Sequence, residues 1–458
     1  MKRIDREILR LALPSIVSNI TVPLLGLCDV TIMGHVGGAT NIAAIAVGSM
    51  IFNVMYWLFV FLRMSTSGLT AQAYGAARWD LTRATLRRGM TMALGFGLAI
   101  VVLQVPLRSL TFWLMQASGE VERLCTPYYY ICIWGAPAVL GLYVLTGWLI
   151  GMQNTRVPMM ISIGQNVINI AVSLILVIGF GMGIKGVALG TLIAQWAGFL
   201  IGLMLIPKSL THNPSSLTPD PSREGEGSDY LAAETDENTG KEETTPLSFA
   251  RGVGGEAGGA GGEASLFLRT VCLVSVNLYF TSAGSAQGAV ILAANTLLIQ
   301  FFTIYSYVMD GFAFAGEALS GRYLGAGDND MLRQTVLRLF GWGTVVALVF
   351  TLFYWLGGPL LLRLLTTDAK VVLTAIIYLP WAVLIPVAGL AAFVWDGIFI
   401  GTTLSRGMLM SAFIAAISFF TLCFALSPTM GNHALWLALI VYLFMRGAIQ
   451  TLLWKNRK

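Results

Sequence analysis

The chain has 458 residues, 56% of them hydrophobic and 11% charged, with a formal net charge of +5. A soluble domain carries about 25% charged residues, so this composition excludes an ordinary water-soluble fold and points to a membrane body. The apolar runs do not alternate apolar and polar residues, which excludes a spanning β-barrel and leaves helices.

Runs long enough to cross a hydrocarbon core of roughly 30 Å predict twelve spans, at 8–33, 42–68, 89–112, 126–150, 158–180, 185–206, 267–286, 289–316, 338–362, 371–399, 407–426 and 433–453. Span 1 follows the charged residues Met1 to Arg10. Its apolar run is too long for the core of a cleaved signal peptide, so it reads as a true span.

An ionisable group at membrane depth costs about 2.5–3.5 kcal/mol on insertion scales, and it persists where it faces a cavity or a partner. Asp29, in the outer half of span 1, is the sharpest instance. Pro14 and Pro23 flank the polar run Ser15 to Thr21 before it. Each proline removes a backbone donor and can bend the helix. Burial favours a neutral carboxyl and water an ionised one, so a bent helix with Asp29 suits a proton- or sodium-coupled switch. The competing reading is an aspartate bonded to backbone at the bend.

Span 2 carries Arg63 near one end. In span 5, Asn166, Asn169 and Ser173 share one helical face, and Thr191 and Gln195 share a face of span 6. With Asp29 they form a candidate polar pocket in the first half, although such residues equally serve as interhelical glue.

Residues 207–266 break the pattern, with 11 acidic and 4 basic residues, a net of −7, and a glycine-rich stretch at 252–262. Too little apolar surface is available there to offset ordering entropy. The segment reads as a disordered linker between an N-terminal lobe, 1–206, and a C-terminal lobe, 267–458.

Asp310 and Glu317 lie seven residues apart on one face of span 8, and Asp396 lies near the end of span 10. Together with Arg63 they are candidates for a cytoplasmic gate of ion pairs. Static neutralisation near the interface, where long side chains snorkel, is the alternative. Bases within the spans read as few, mainly Arg63 and Lys185.

Lys and Arg cluster at both termini and after spans 2 and 8, and are absent after spans 1, 7 and 11. The positive-inside rule then places both termini in the cytoplasm. The halves also match at a shift of 250 residues: Gly75, Ala76 and Asp80 fall on Gly325, Ala326 and Asp330, and Gly147, Gly151 and Arg156 on Gly397, Gly401 and Arg406. Six spans per repeat give both halves one orientation and a pseudo-twofold axis along the membrane normal, with a cavity between the lobes. The fold class is therefore an all-α integral membrane protein of twelve spans in two six-helix lobes.

The five cysteines form no metal-type pair, and His35, His212 and His433 lie far apart in sequence. No metal, cofactor or nucleic-acid partner is expected. The sequence holds no GxxxxGK[ST] loop and no converging catalytic constellation, which argues against ATP-driven transport and against an enzyme. The expected partner is the lipid bilayer, with the chain acting as a monomer.

Several segments carry a family resemblance: Leu11-Ala12-Leu13-Pro14 through Asp29, Phe61–Ala76, Met309–Ala315, Asp396–Gly401 and Gly431–Leu439. The chain resembles the multidrug and toxic compound extrusion (MATE) transporters of the DinF-like branch over nearly its full length apart from 207–266. The resemblance implies twelve helices in two lobes, and antiport of organic, cationic or amphipathic compounds against protons or sodium across the inner membrane. It places the functional acid on Asp29, the fifth-helix Asn-x-x-x-Asp pattern on Asn169 and Ser173, and the sixth-helix threonine on Thr191. Ser173 departs from the pattern, which expects a carboxylate. Its loss favours a one-carboxylate proton switch over sodium coordination. Tyr279 stands at the repeat position of Asp29. The alternative function is a flippase of a lipid-linked precursor, which would need a strongly basic cavity.

Overall fold

The computed structural model describes residues 3–36, 38–115, 119–206, 260–366 and 368–456, and side chains outside 22–43, 114–115 and 260. Every regular element among them is helical. The first half comprises α1 (Arg3–Val36), α2 (Gly38–Trp57), α3 (Phe61–Gly75), α4 (Trp79–Val102), α5 (Gln104–Met115), α6 (Gly119–Cys132), α7 (Ala136–Gly151), α8 (Arg156–Leu174) and α9 (Ile184–Met204). The second comprises α10 (Ala260–Ala286), α11 (Ala289–Gly325), α12 (Asn329–Leu365), α13 (Ala369–Gly401), α14 (Ser405–Met430) and α15 (Asn432–Lys455). Eleven rods among the described residues are long and apolar enough to cross a membrane. Helix α1, 34 residues long, makes the twelfth and runs through Pro14 and Pro23.

Most of the expected linker, 207–259, lies outside the described residues. Its last part does not behave as a linker, because α10 begins at Ala260, with Ser265 Oγ donating to the Gly261 carbonyl at 2.8 Å.

Three rods of the first half are split where those of the second are continuous. Pro106 lacks the N–H that would bond the Val102 carbonyl, and the helix parts at Leu103 into α4 and α5. Pro137 does the same after the 3-10 turn Ile133–Gly135, between α6 and α7. Residues 58–60 tighten the join of α2 and α3 through bonds such as Phe59 N–H to the Tyr56 carbonyl, 2.9 Å. A fourth rod is modified at its end, where α8 passes into a π-helical turn at Ile175–Gly179.

The repeat read from sequence is realised in packing. In the first half α3 lies along α7, α8 along α9, and α1 against α8; in the second α11 lies along α13, α14 along α15, and α10 against α14. Even the strained backbone repeats. Left-handed φ values occur at Ala77 (52°) and Gly327 (72°), and at Gln153 (63°) and Thr403 (57°), each pair 250 residues apart.

The lobes meet at the end that carries the amino terminus. A Cβ on Gly75 would overlap the Arg322 carbonyl, and one on Gly325 would overlap the Gln72 carbonyl. The seam is therefore main chain against main chain, a contact only glycine permits. Gln72 Nε2 donates to the Gly401 carbonyl at 2.9 Å, and Gln153 Nε2 to the Ala318 carbonyl at 2.7 Å. The start of α1 crosses to the other lobe, where Glu7 accepts from Tyr323 Oη at 2.9 Å and Asp5 from Trp342 Nε1 at 3.3 Å.

Candidate functional site

Above this seam a cavity of about 320 Å³ lies between the lobes, lined by Trp57, Arg63 and Met64 from the first half and by α10, α11, α13 and α15 from the second. All four residues expected to form a gate border it: Arg63, Asp310, Glu317 and Asp396. Their pairing differs from a single gate network. Arg63 Nη1 reaches Glu317 Oε2 at 3.3 Å, an ion pair that joins the lobes, with the two side chains only 10% and 1% exposed. The guanidinium also sits 4.4 Å from the centroid of the Phe314 ring.

Asp396 does not pair with Arg63. Its Oδ2 accepts from Nη2 of both Arg269 and Arg446, and its Oδ1 accepts from Gln450 Nε2 at 2.9 Å. Arg269 stands on α10, Asp396 on α13, and Arg446 and Gln450 on α15, so the cluster ties three helices of one lobe. Asp310 makes no hydrogen bond or ion pair among the described residues, although its carboxyl borders the cavity. The reading of few bases in the spans is thereby corrected. Arg269 and Arg446 are buried within expected spans, and the cost of a lone charge at that depth was the signal that would have marked them. Lys185 is absent from the cavity wall.

In the first half, Asn169 Nδ2 donates to Thr191 Oγ1 at 3.0 Å, and Thr191 Oγ1 in turn to the Val187 carbonyl at 3.0 Å. Ser173 lies on the same face of α8, one turn along and fully buried against Gly190. Among the described residues, Asn169 Oδ1 and Ser173 Oγ are buried without a hydrogen-bond partner, an arrangement that stable interiors avoid unless something else occupies the site. Asn166 Nδ2 donates to the Thr21 carbonyl of α1 at 3.1 Å, tying α8 to the helix that carries Asp29. The side chains of Asp29 and Pro23 lie outside the described residues. Tyr279, the repeat counterpart of Asp29, packs on Phe419 and Phe420, with ring centroids 6.0 and 5.2 Å away.

The MatE family profile matches residues 14–175 and 266–425, both halves of the chain. The chain belongs to the MatE family. This MatE protein is 35% identical over 453 residues to DNA damage-inducible protein F of Escherichia coli K12, covering 99% of this chain and 92% of that one. It is 28% identical over 218 residues to a probable multidrug resistance protein NorM of Neisseria meningitidis serogroup A, with 46% and 47% covered. Its fold matches the outward-facing structure of a multidrug resistance MATE family transporter of the MOP superfamily, with a TM-score of 0.81 at 18% identity, covering 100% of this chain and 96% of that one. The family and the fold make the chain a multi-pass membrane transporter of two six-helix lobes.

Proposed function

We propose that this MatE protein is an ion-coupled antiporter that exports small organic, cationic or amphipathic compounds by alternating access. It acts as a monomer in the inner membrane with both termini cytoplasmic. The observation that carries the reading is a cavity between the lobes, shut at one end by a main-chain seam and crossed there by the buried Arg63–Glu317 pair. With the termini inside, the seam is the cytoplasmic gate, and the cavity faces outward. Rocking one lobe against the other must part the seam and the ion pair together. The relatives named for multidrug resistance support an organic cargo.

Coupling belongs to Asp29 with Asn169, Ser173 and Thr191, and Pro14 and Pro23 let α1 bend as Asp29 changes charge. One carboxylate with neutral partners favours the proton over sodium. Arg63, Asp310, Glu317 and Asp396 belong to the cavity and gate. The three arginines bear on the flippase alternative, but they share the cavity with three acids, so its lining is balanced rather than strongly basic. The deciding experiment measures export of rhodamine 123 by proteoliposomes under an opposed proton gradient or an opposed sodium gradient alone. Transport driven by the proton gradient and insensitive to sodium is expected. Transport indifferent to both gradients overturns ion coupling.

A further inference from the structure

The charges around the cavity balance in total but not in place. Glu317 and Arg63 neutralise each other. Asp396 faces two guanidiniums, so its cluster carries one surplus positive charge. Asp310 supplies the third carboxyl of the cavity wall and makes no hydrogen bond or ion pair to that cluster. Both arginines are more than nine-tenths buried, at 3% and 7% exposed, and both line the cavity.

Each guanidinium carries five N–H donors. Arg269 directs Nη2 to Asp396 and Nη1 only to the Met64 sulfur at 4.0 Å, and Arg446 directs Nη2 to Asp396. Both residues line the cavity, and the Arg446 guanidinium also lies 5.6 Å from the centroid of the Tyr442 ring. A buried charge with spare donors is unfavourable until an acceptor arrives.

We infer that this cavity recognises a zwitterionic amphiphile, whose acidic group bonds Arg269 and Arg446 and whose cationic group faces Asp310. The inference rests on the cavity being the cargo site proposed above, and it narrows the class from cations to molecules bearing both charges. Phe302, Phe314 and Phe393 line the same cavity beside Asp310 and receive the apolar body. A simple cation answers Asp310 but leaves the surplus guanidinium charge unmet. A simple anion does the reverse.

Three xanthene dyes test this on one scaffold: rhodamine 110, which carries a delocalised cation and a carboxylate, its methyl ester rhodamine 123, and fluorescein, an anion. Binding is measured by fluorescence anisotropy on the purified full-length protein in lipid nanodiscs. Rhodamine 110 is expected to bind about tenfold tighter than its methyl ester, the difference of one charge-assisted hydrogen-bonded group. In Arg446→Gln, which leaves Asp396 paired with Arg269, the ratio falls to about one. In Asp310→Asn both rhodamines weaken while fluorescein does not. A purely structural role for Arg446 would weaken all three dyes alike and overturn the inference. So would a methyl ester that binds the native protein as tightly as rhodamine 110, while cargo binding in the cavity stands. Failure of all three dyes to bind overturns both readings.

Discussion

At equivalent positions of the repeat, the two halves of this transporter hold opposite chemistry. Asn169 and Ser173 correspond, 250 residues on, to Phe419 and Cys423, and Asp29 corresponds to Tyr279. Where the first half keeps a polar pocket with two unpartnered oxygens, the second packs an aromatic knot. In the other direction, Arg269, Asp396 and Arg446 correspond to Asn19, Thr146 and Trp196. The backbone follows the same division. The polar pocket abuts a π-helical turn and a half whose rods are split, whereas the charged cluster stands on continuous helices. Irregular helix turns recur where a segment must move, and continuous helices hold side chains in fixed register. On the reading proposed above, the first half is the one that changes state and the second the one that holds the cargo.

The largest effect tests that division directly. Asp29→Asn is expected to abolish substrate-driven proton release in proteoliposomes while the purified protein keeps its melting temperature. Persisting proton release would return coupling to the second half and break the comparison.

Removing one member of the interlobe ion pair strands the other charge in a buried site. Arg63→Met is expected to cost about 3–5 kcal/mol of stability in chemical unfolding, and Arg63→Met with Glu317→Met to recover most of it. An additive double variant would show that the pair does not hold the lobes.

Gly75→Val places a side chain inside the seam. Overpacking of this kind costs about 1–3 kcal/mol, which is expected to shift spin-label distances across the terminal end toward separation and to slow export severalfold. Gly325→Val should do the same from the other lobe. Unequal outcomes would mean that the seam is less symmetric than its backbone.

The smallest effect sharpens the first half alone. Ser173→Asp adds the missing carboxylate and is expected to make export respond to sodium by a few-fold at most, because Gly190 leaves little room beside it. No sodium response at all would detach the coupling ion from this position.

Much of the fold was legible in the sequence. A span is announced by some 20 consecutive apolar residues, a local property of composition, and the shift of 250 residues was visible in short motifs such as Gly75-Ala76 and Gly325-Ala326. The start of α10 was misjudged because Gly261 and Gly262 weaken helix propensity, yet the helix begins at Ala260. The site was legible in its residues and not in its pairings. Asn169 and Thr191, grouped in one pocket from two adjacent spans, are joined by a hydrogen bond. Asp396 was grouped with Arg63, while its partners Arg269 and Arg446 stand 127 and 50 residues away. Helix periodicity says which face a residue occupies, but not which distant helix that face meets.

The seam at Gly75 and Gly325 has a bearing on how such a molecule could diversify. Its key contacts are made by carbonyl oxygens and by the absence of side chains, so they depend on very few residues being kept. On the reading proposed above, groups that choose a cargo, such as Arg269 and Arg446, lie outside these glycine contacts. After a duplication, one copy could drift toward harnessing a gradient and the other toward grasping a molecule, and the gate between them would go on shutting.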